Sequence, residues 1–171
     1  MIKVKLNDNP EQVRKLKNPF VVLEGYNCFG CSPGNPSGLQ MKFTEEGEEV
    51  VARWEPKPHF QGWKDVLHGG IQAALMDEIA SWLVFTRLAT SGVTSKMEVR
   101  LKKPVYTNRG TLTLRARLKE MNRNIALIDT RLFDQDMVLC AEAVMHYFTF
   151  SPEKAREKLW YPGKESFYEE P

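Results

Sequence analysis

Between Gly69 and Leu88 the apolar residues Ile71, Ala74, Leu75, Ile79, Trp82, Leu83 and Phe85 go most of the way round a helical turn. Only Gln72, Asp77, Glu78, Ser81, Thr86 and Arg87 interrupt them. A helix that is apolar on nearly every side must be enclosed by the rest of its chain. The enclosing material follows at once. After Gly92 the pattern changes to strand, turn, strand over Thr94–Val105, Thr111–Met121, Ile125–Asp134 and Met137–Phe150. In the second of these, Leu112, Leu114, Ala116 and Leu118 alternate with Thr113, Arg115, Arg117 and Lys119, as on a sheet with one wet face. One buried helix and an antiparallel meander predict an α+β fold, a curled antiparallel sheet wrapped around one long central helix.

The remaining segments divide into a body over residues 27–150, an N-terminal extension over 1–26 and a charged, aromatic C-terminal tail over 151–171. Glu11–Lys17 reads as a short polar helix ended by Asn18-Pro19. The twelve positions Asn27–Gly38 are so dense in Gly, Pro and Asn that they predict an ordered irregular loop. Leu39–Phe43 reads as a strand, Glu45–Glu49 as a turn around Gly47, and Val50–Trp54 as a second strand. Pro56–Lys64 reads as a loop, and the tail from Ser151 as a helix packed on the body or a partly loose segment.

At 171 residues the chain is long enough to bury a core without disulfides or metal. A net charge of +2 provides no strong field for nucleic acid or a membrane surface, so neither is an expected partner. The longest apolar run is broken by Asp77, Glu78 and Arg87 and cannot span a bilayer. Met1-Ile2-Lys3-Val4-Lys5, running into Asn7-Asp8-Asn9, does not resemble a signal peptide. With three cysteines that cannot all pair, the expected location is the reducing cytoplasm.

The chemistry concentrates in Leu67–Ser81. Gly69 and Gly70 open the helix and allow a ligand to approach the backbone closely. The first-turn N–H groups lack helical partners and sit at the positive end of the helix dipole, which suits a polarised carbonyl oxygen. Asp77 is a carboxylate in an apolar helix and requires a partner or a function. Ser81, one turn on, shares its face and could bond to it or to a water. Gly69 and Asp77 are separated by about 12 Å along one helix, too far for one carbonyl group to touch both. If they share a substrate, two antiparallel helices must face each other across a two-fold axis. Plainer roles exist for each residue: a turn for the glycines, a salt bridge to Arg87 for Asp77, a structural hydrogen bond for His68.

His68-Gly69-Gly70, with Asp77 nine residues after the histidine, resembles the hotdog-fold acyl-CoA thioesterases of the PaaI-like branch. The resemblance extends to Val93-Thr94, Val99–Val105, Gly110 and Ala141-Glu142-Ala143 downstream, and to Cys28–Leu39 upstream. It implies a hotdog fold and hydrolysis of an acyl-CoA thioester at an intersubunit site of a homodimer, or of a homotetramer built from two dimers. It further implies that Gly69 offers its N–H to the thioester carbonyl. It implies as well that Asp77 of the facing subunit acts as general base or nucleophile, that Ser81 and Ser95 orient water, that His68 shapes the helix entrance, and that His68 and Gly70 lie against the bound substrate. Where family members often carry Asn or Gln, seven residues before the first motif glycine, this chain has Gly62, with Gln61 adjacent as a substitute. Lys102, Lys103 and Arg109 are candidates for the coenzyme A phosphates. Coenzyme A enters as part of the substrate and no cofactor is expected.

The Cys28-x-x-Cys31 pair lacks a second such pair, Cys140 sits on a predicted strand, and His59 could complete a metal site only through the fold. A thioredoxin-type dithiol would call for a βαβ context, which is absent. The expectation is a structural loop without metal. Two rival functions remain: a non-catalytic acyl-CoA-binding module, and an enoyl-thioester hydratase of the same fold.

Overall fold

The computed structural model describes residues 13–169. The segment Met1–Asn9 and the start of the expected polar helix, Glu11, lie outside these residues. In chain order the strands are β1 (Val13–Leu16), β2 (Phe43–Glu46), β3 (Glu49–Trp54), β4 (Gln61–Trp63) and β5 (Val66–Leu67). Helix α1 (Gly69–Arg87) follows, then β6 (Gly92–Leu101), β7 (Leu112–Asn122), β8 (Ile125–Phe133), β9 (Leu139–Thr149) and α2 (Pro152–Leu159).

Seven strands form one sheet in the order β1-β2-β3-β7-β8-β9-β6, every neighbouring pair antiparallel, and β4 and β5 form a small hairpin. Helix α1 lies against β3, β6, β7, β8 and β9. Leu75, Met76, Ile79, Leu83 and Val84 are completely enclosed there, each worth about 1.5–3 kcal/mol of transfer free energy. The fold is the expected α+β arrangement, a curled sheet around one long helix. Among the described residues no helix is long and apolar enough to cross a membrane.

Several local expectations change. Residues 13–16 are a strand and not a helix, because pairing Val13 with Glu46 through Leu16 with Phe43 outweighs a weak helical preference. The strand expected over Leu39–Phe43 begins only at Phe43. Gln40 has a left-handed φ of 53°, and the amides of Leu39 and Met41 donate to Phe29 and Gly30 in the upstream loop instead of to a strand. The Pro56–Lys64 segment contains β4. Strand β6 stops at Leu101, where the amides of Lys102 and Lys103 both turn onto the Cys140 carbonyl and Pro104 follows.

The tail is helical over α2 and packs on the body. Phe167 is fully buried, stacked on Phe85 at 5.2 Å and edge-on to Trp82 at 5.7 Å.

Candidate active site

The β4–β5 hairpin delivers the chain to the start of α1. His68 caps the helix: its Nδ1 accepts the Gly70 N–H at 2.9 Å, and its carbonyl accepts those of Ile71 and Gln72 at 3.0 and 3.1 Å. Of the first-turn amides only that of Gly69 is left without a partner among the described residues. A Cβ on Gly69 would sit 2.9 Å from Leu101 Cδ1, so the glycine lets β6 close over the helix mouth.

A cleft of about 590 Å³ opens there, lined by Gly62, Trp63, Leu67, His68, Gly69, Gln72 and Leu101–Pro104. It gathers Gly69, His68, Lys102 and Lys103 from the expected set. Lys102 is paired with Glu142 at 2.9 Å. Arg109 stands apart from the lining residues, its guanidinium 3.7 Å from the centre of the Tyr106 ring. Gln61 is exposed and accepts the Asp65 N–H at 3.0 Å. Gly62 fits against the His68 ring, where a Cβ would come within 3.1 Å of Cδ2. Gly70 is exposed beside His68.

Asp77 lies further along the same helix, facing β6 and β9. Thr94 donates to its Oδ1 at 2.7 Å, and the Tyr147 hydroxyl lies 2.8 Å from both Oδ1 and the Asp77 carbonyl. Thr94 and Tyr147 are register partners on adjacent strands, so the sheet presents both hydroxyls together. Burial, with the nearby Asp77 charge, pushes the Tyr147 phenol well above its usual range and keeps it a donor. Asp77 Oδ2 carries no hydrogen bond among the described residues. One carboxylate oxygen is therefore fixed while the other can reach a water or a substrate.

The expected serines point elsewhere. Ser81 donates to the Glu78 carbonyl at 2.7 Å. Ser95 sits in an irregularity of β6 between Thr94 and Lys96, exposed, with its hydroxyl 3.0 Å from the His146 carbonyl. Thr94 and Tyr147 carry no signal in the sequence, since nothing local joins them to Asp77. Gln72 does show in the sequence, as a break in the apolar pattern, but nothing there assigns it to the site. It is buried in the cleft, its Nε2 donates to the Leu67 carbonyl at 3.3 Å, and its Oε1 has no partner.

The sequence pattern of the thioesterase superfamily matches residues 64–141. No curated protein matches the chain in sequence. Among solved structures, a thioesterase superfamily protein designated RHA08564 superposes with a TM-score of 0.62 at 18% identity. That match covers 68% of this chain and 57% of the other, so the chain spans little more than half of that relative's length. A hypothetical thioesterase from Streptococcus pneumoniae, solved with coenzyme A, gives 0.57 at 20% identity, covering 61% of this chain and 80% of the other. The Escherichia coli PaaI protein from the phenylacetic acid degradation operon gives 0.59 at 16%, covering 67% and 82%. The chain has the hotdog fold, and its segment 64–141, which holds both the Gly69 amide and Asp77, matches the thioesterase superfamily.

Proposed function

We propose that the protein is an acyl-CoA thioesterase, hydrolysing its substrate to a free acid and coenzyme A. The observation that carries this reading is the pairing, on one helix, of an unpartnered Gly69 amide with a carboxylate whose Oδ1 is fixed and whose Oδ2 is open. The amide stabilises the oxygen of the thioester carbonyl as it becomes negative. Asp77 either takes the proton from an attacking water or attacks the carbonyl carbon itself, and the intermediate collapses by expelling the thiolate. Gln72 Oε1 is suited to accept an amide N–H of the pantetheine arm. Lys102 and Lys103 stand at the same cleft for the phosphates.

Helix geometry keeps the two groups about 12 Å apart within one protomer, so the reading requires a homodimer in which Gly69 of one copy meets Asp77 of the other. Strand β6 supports this. Among the described residues it is a sheet edge of ten residues with no strand on its outer side, exposing Val93, Met97, Val99 and Leu101. A tetramer of two such dimers leaves the argument unchanged. The coenzyme A in the pneumococcal structure supports the substrate class.

The test is thiol release from a panel of aliphatic and aromatic acyl-CoAs by wild type and Asp77→Asn. Wild-type release that falls by about 10²–10⁴-fold in the variant supports the mechanism. Tight binding of the same esters without release would favour the binding module, and loss of enoyl-CoA absorbance without thiol release would favour the hydratase.

A further inference from the structure

The upstream loop places Cys28 and Cys31 against α1, and the helix meets them with Glu78. The two sulfurs are 3.2 Å apart, and Cys28 Sγ lies 3.7 and 3.9 Å from the two Glu78 carboxylate oxygens. Ligand atoms of all three residues fall within 4.8 Å of one another. Each is held by a neutral donor. The Cys31 N–H donates to Cys28 Sγ at 3.3 Å, and the Trp82 indole N–H donates to Glu78 Oε1 at 3.1 Å. The Tyr26 hydroxyl, which accepts from Asn18 Nδ2 at 3.0 Å, lies 3.0 Å from Cys31 Sγ and can donate to it once that sulfur is a thiolate. Such donors orient the ligands of a metal from the layer behind them.

Two further features point the same way. Glu78 takes part in no ion pair among the described residues, although it reaches into a largely enclosed site. A Cβ on Gly30 would lie 2.1 Å from Glu78 Oε2, so the carboxylate occupies space that only a glycine leaves. A carboxylate drawn this close to two thiols, with no basic side chain bonded to it, lacks a positive charge. We infer that Cys28, Cys31 and Glu78 bind a divalent cation of zinc type, with water in the fourth position.

Two thiolates and a carboxylate suit Zn²⁺, whose bonds of about 2.3 Å to sulfur and 2.0–2.2 Å to oxygen place tetrahedral S and O ligands about 3.6 Å apart. The observed 3.7 Å meets that spacing, and loading opens the sulfurs from 3.2 Å toward about 3.8 Å. The cation pins the loop over residues 27–38 to α1 at the residue next to Asp77. Sequence spacing concealed the site because its third ligand comes from fifty residues downstream of Cys28.

The test is uptake of Co²⁺, then Zn²⁺, by the reduced full-length chain, read by absorption and metal analysis. The expected result is one Co²⁺ per chain with a thiolate charge-transfer band, displaced by Zn²⁺ and abolished in Cys28→Ser. Glu78→Gln retains the band at lowered affinity, and Zn²⁺ raises the unfolding temperature of wild type. Wild-type protein that takes up no cobalt overturns the inference, whatever the variants do. So does a chain that forms a Cys28–Cys31 disulfide with diamide equally fast with and without Zn²⁺.

Discussion

At one edge of the sheet, β1 is four residues long, and three of them are exposed. The tail closes over it: Leu16 bridges to Tyr168, the Lys17 N–H donates to the Phe167 carbonyl at 2.8 Å, and Arg14 lies 3.7 Å over the Tyr168 ring. At the other edge, β6 runs ten residues, and among the described residues no strand pairs with its outer side. Its apolar Met97 and Val99 are 49% and 37% exposed. Short, charged and capped edges resist further pairing, whereas a long apolar one invites it. The tail over residues 152–169 protects one edge, and the other is left long, apolar and exposed.

The largest effect should come from β6. Replacing both Met97 and Val99 by Lys puts like charges across the proposed two-fold axis. It should yield monomers in sedimentation and, by removing the partner's Gly69 amide, reduce thiol release by about 10²–10³-fold. Val13→Lys on β1 should change neither. Equal losses from the two edges would end the comparison.

The same contrast explains what could be read from the sequence. Gly69 and Asp77 were legible because their relation is internal to one helix, where spacing fixes geometry. Thr94 and Tyr147 were not, because they meet through the β6–β9 register across more than fifty residues. The family resemblance points to Ser95 on that strand, but the irregularity beside it turns its hydroxyl toward the His146 carbonyl. Strand β1 is not legible in the sequence because four residues at an edge show no clear period. Its conformation is imposed by β2 and the tail.

The capped edge depends on the tail's anchor. Phe167→Ala removes a fully buried ring packed against Phe20, Trp82, Phe85 and Tyr161. It should cost about 3–5 kcal/mol in urea unfolding. A loss below 1 kcal/mol would show that the tail is an accessory to the edge and not its cap. Glu45 comes next. This buried carboxylate accepts from Arg87 at 3.2 Å, faces Arg14 at 3.7 Å and meets the Tyr168 hydroxyl at 3.2 Å. Glu45→Gln retains the shape but weakens all three contacts, and should cost about 1–3 kcal/mol in the same assay.

Tyr168→Phe should have the smallest effect and separates the two halves of the cap. Burial, with Glu45 beside it, pushes the Tyr168 phenol above its usual range, so the hydroxyl remains a donor to the carboxylate. Removing it deletes one hydrogen bond and leaves the ring, the Arg14 contact and the backbone bridge to Leu16 in place. The two arginines still compensate the Glu45 charge. The expected loss is about 1 kcal/mol, read as a shift of the urea midpoint with unchanged slope. A cost above that of Glu45→Gln would make the hydroxyl the principal anchor. The edge would then be closed by a single polar contact and not by the buried aromatic cluster behind it.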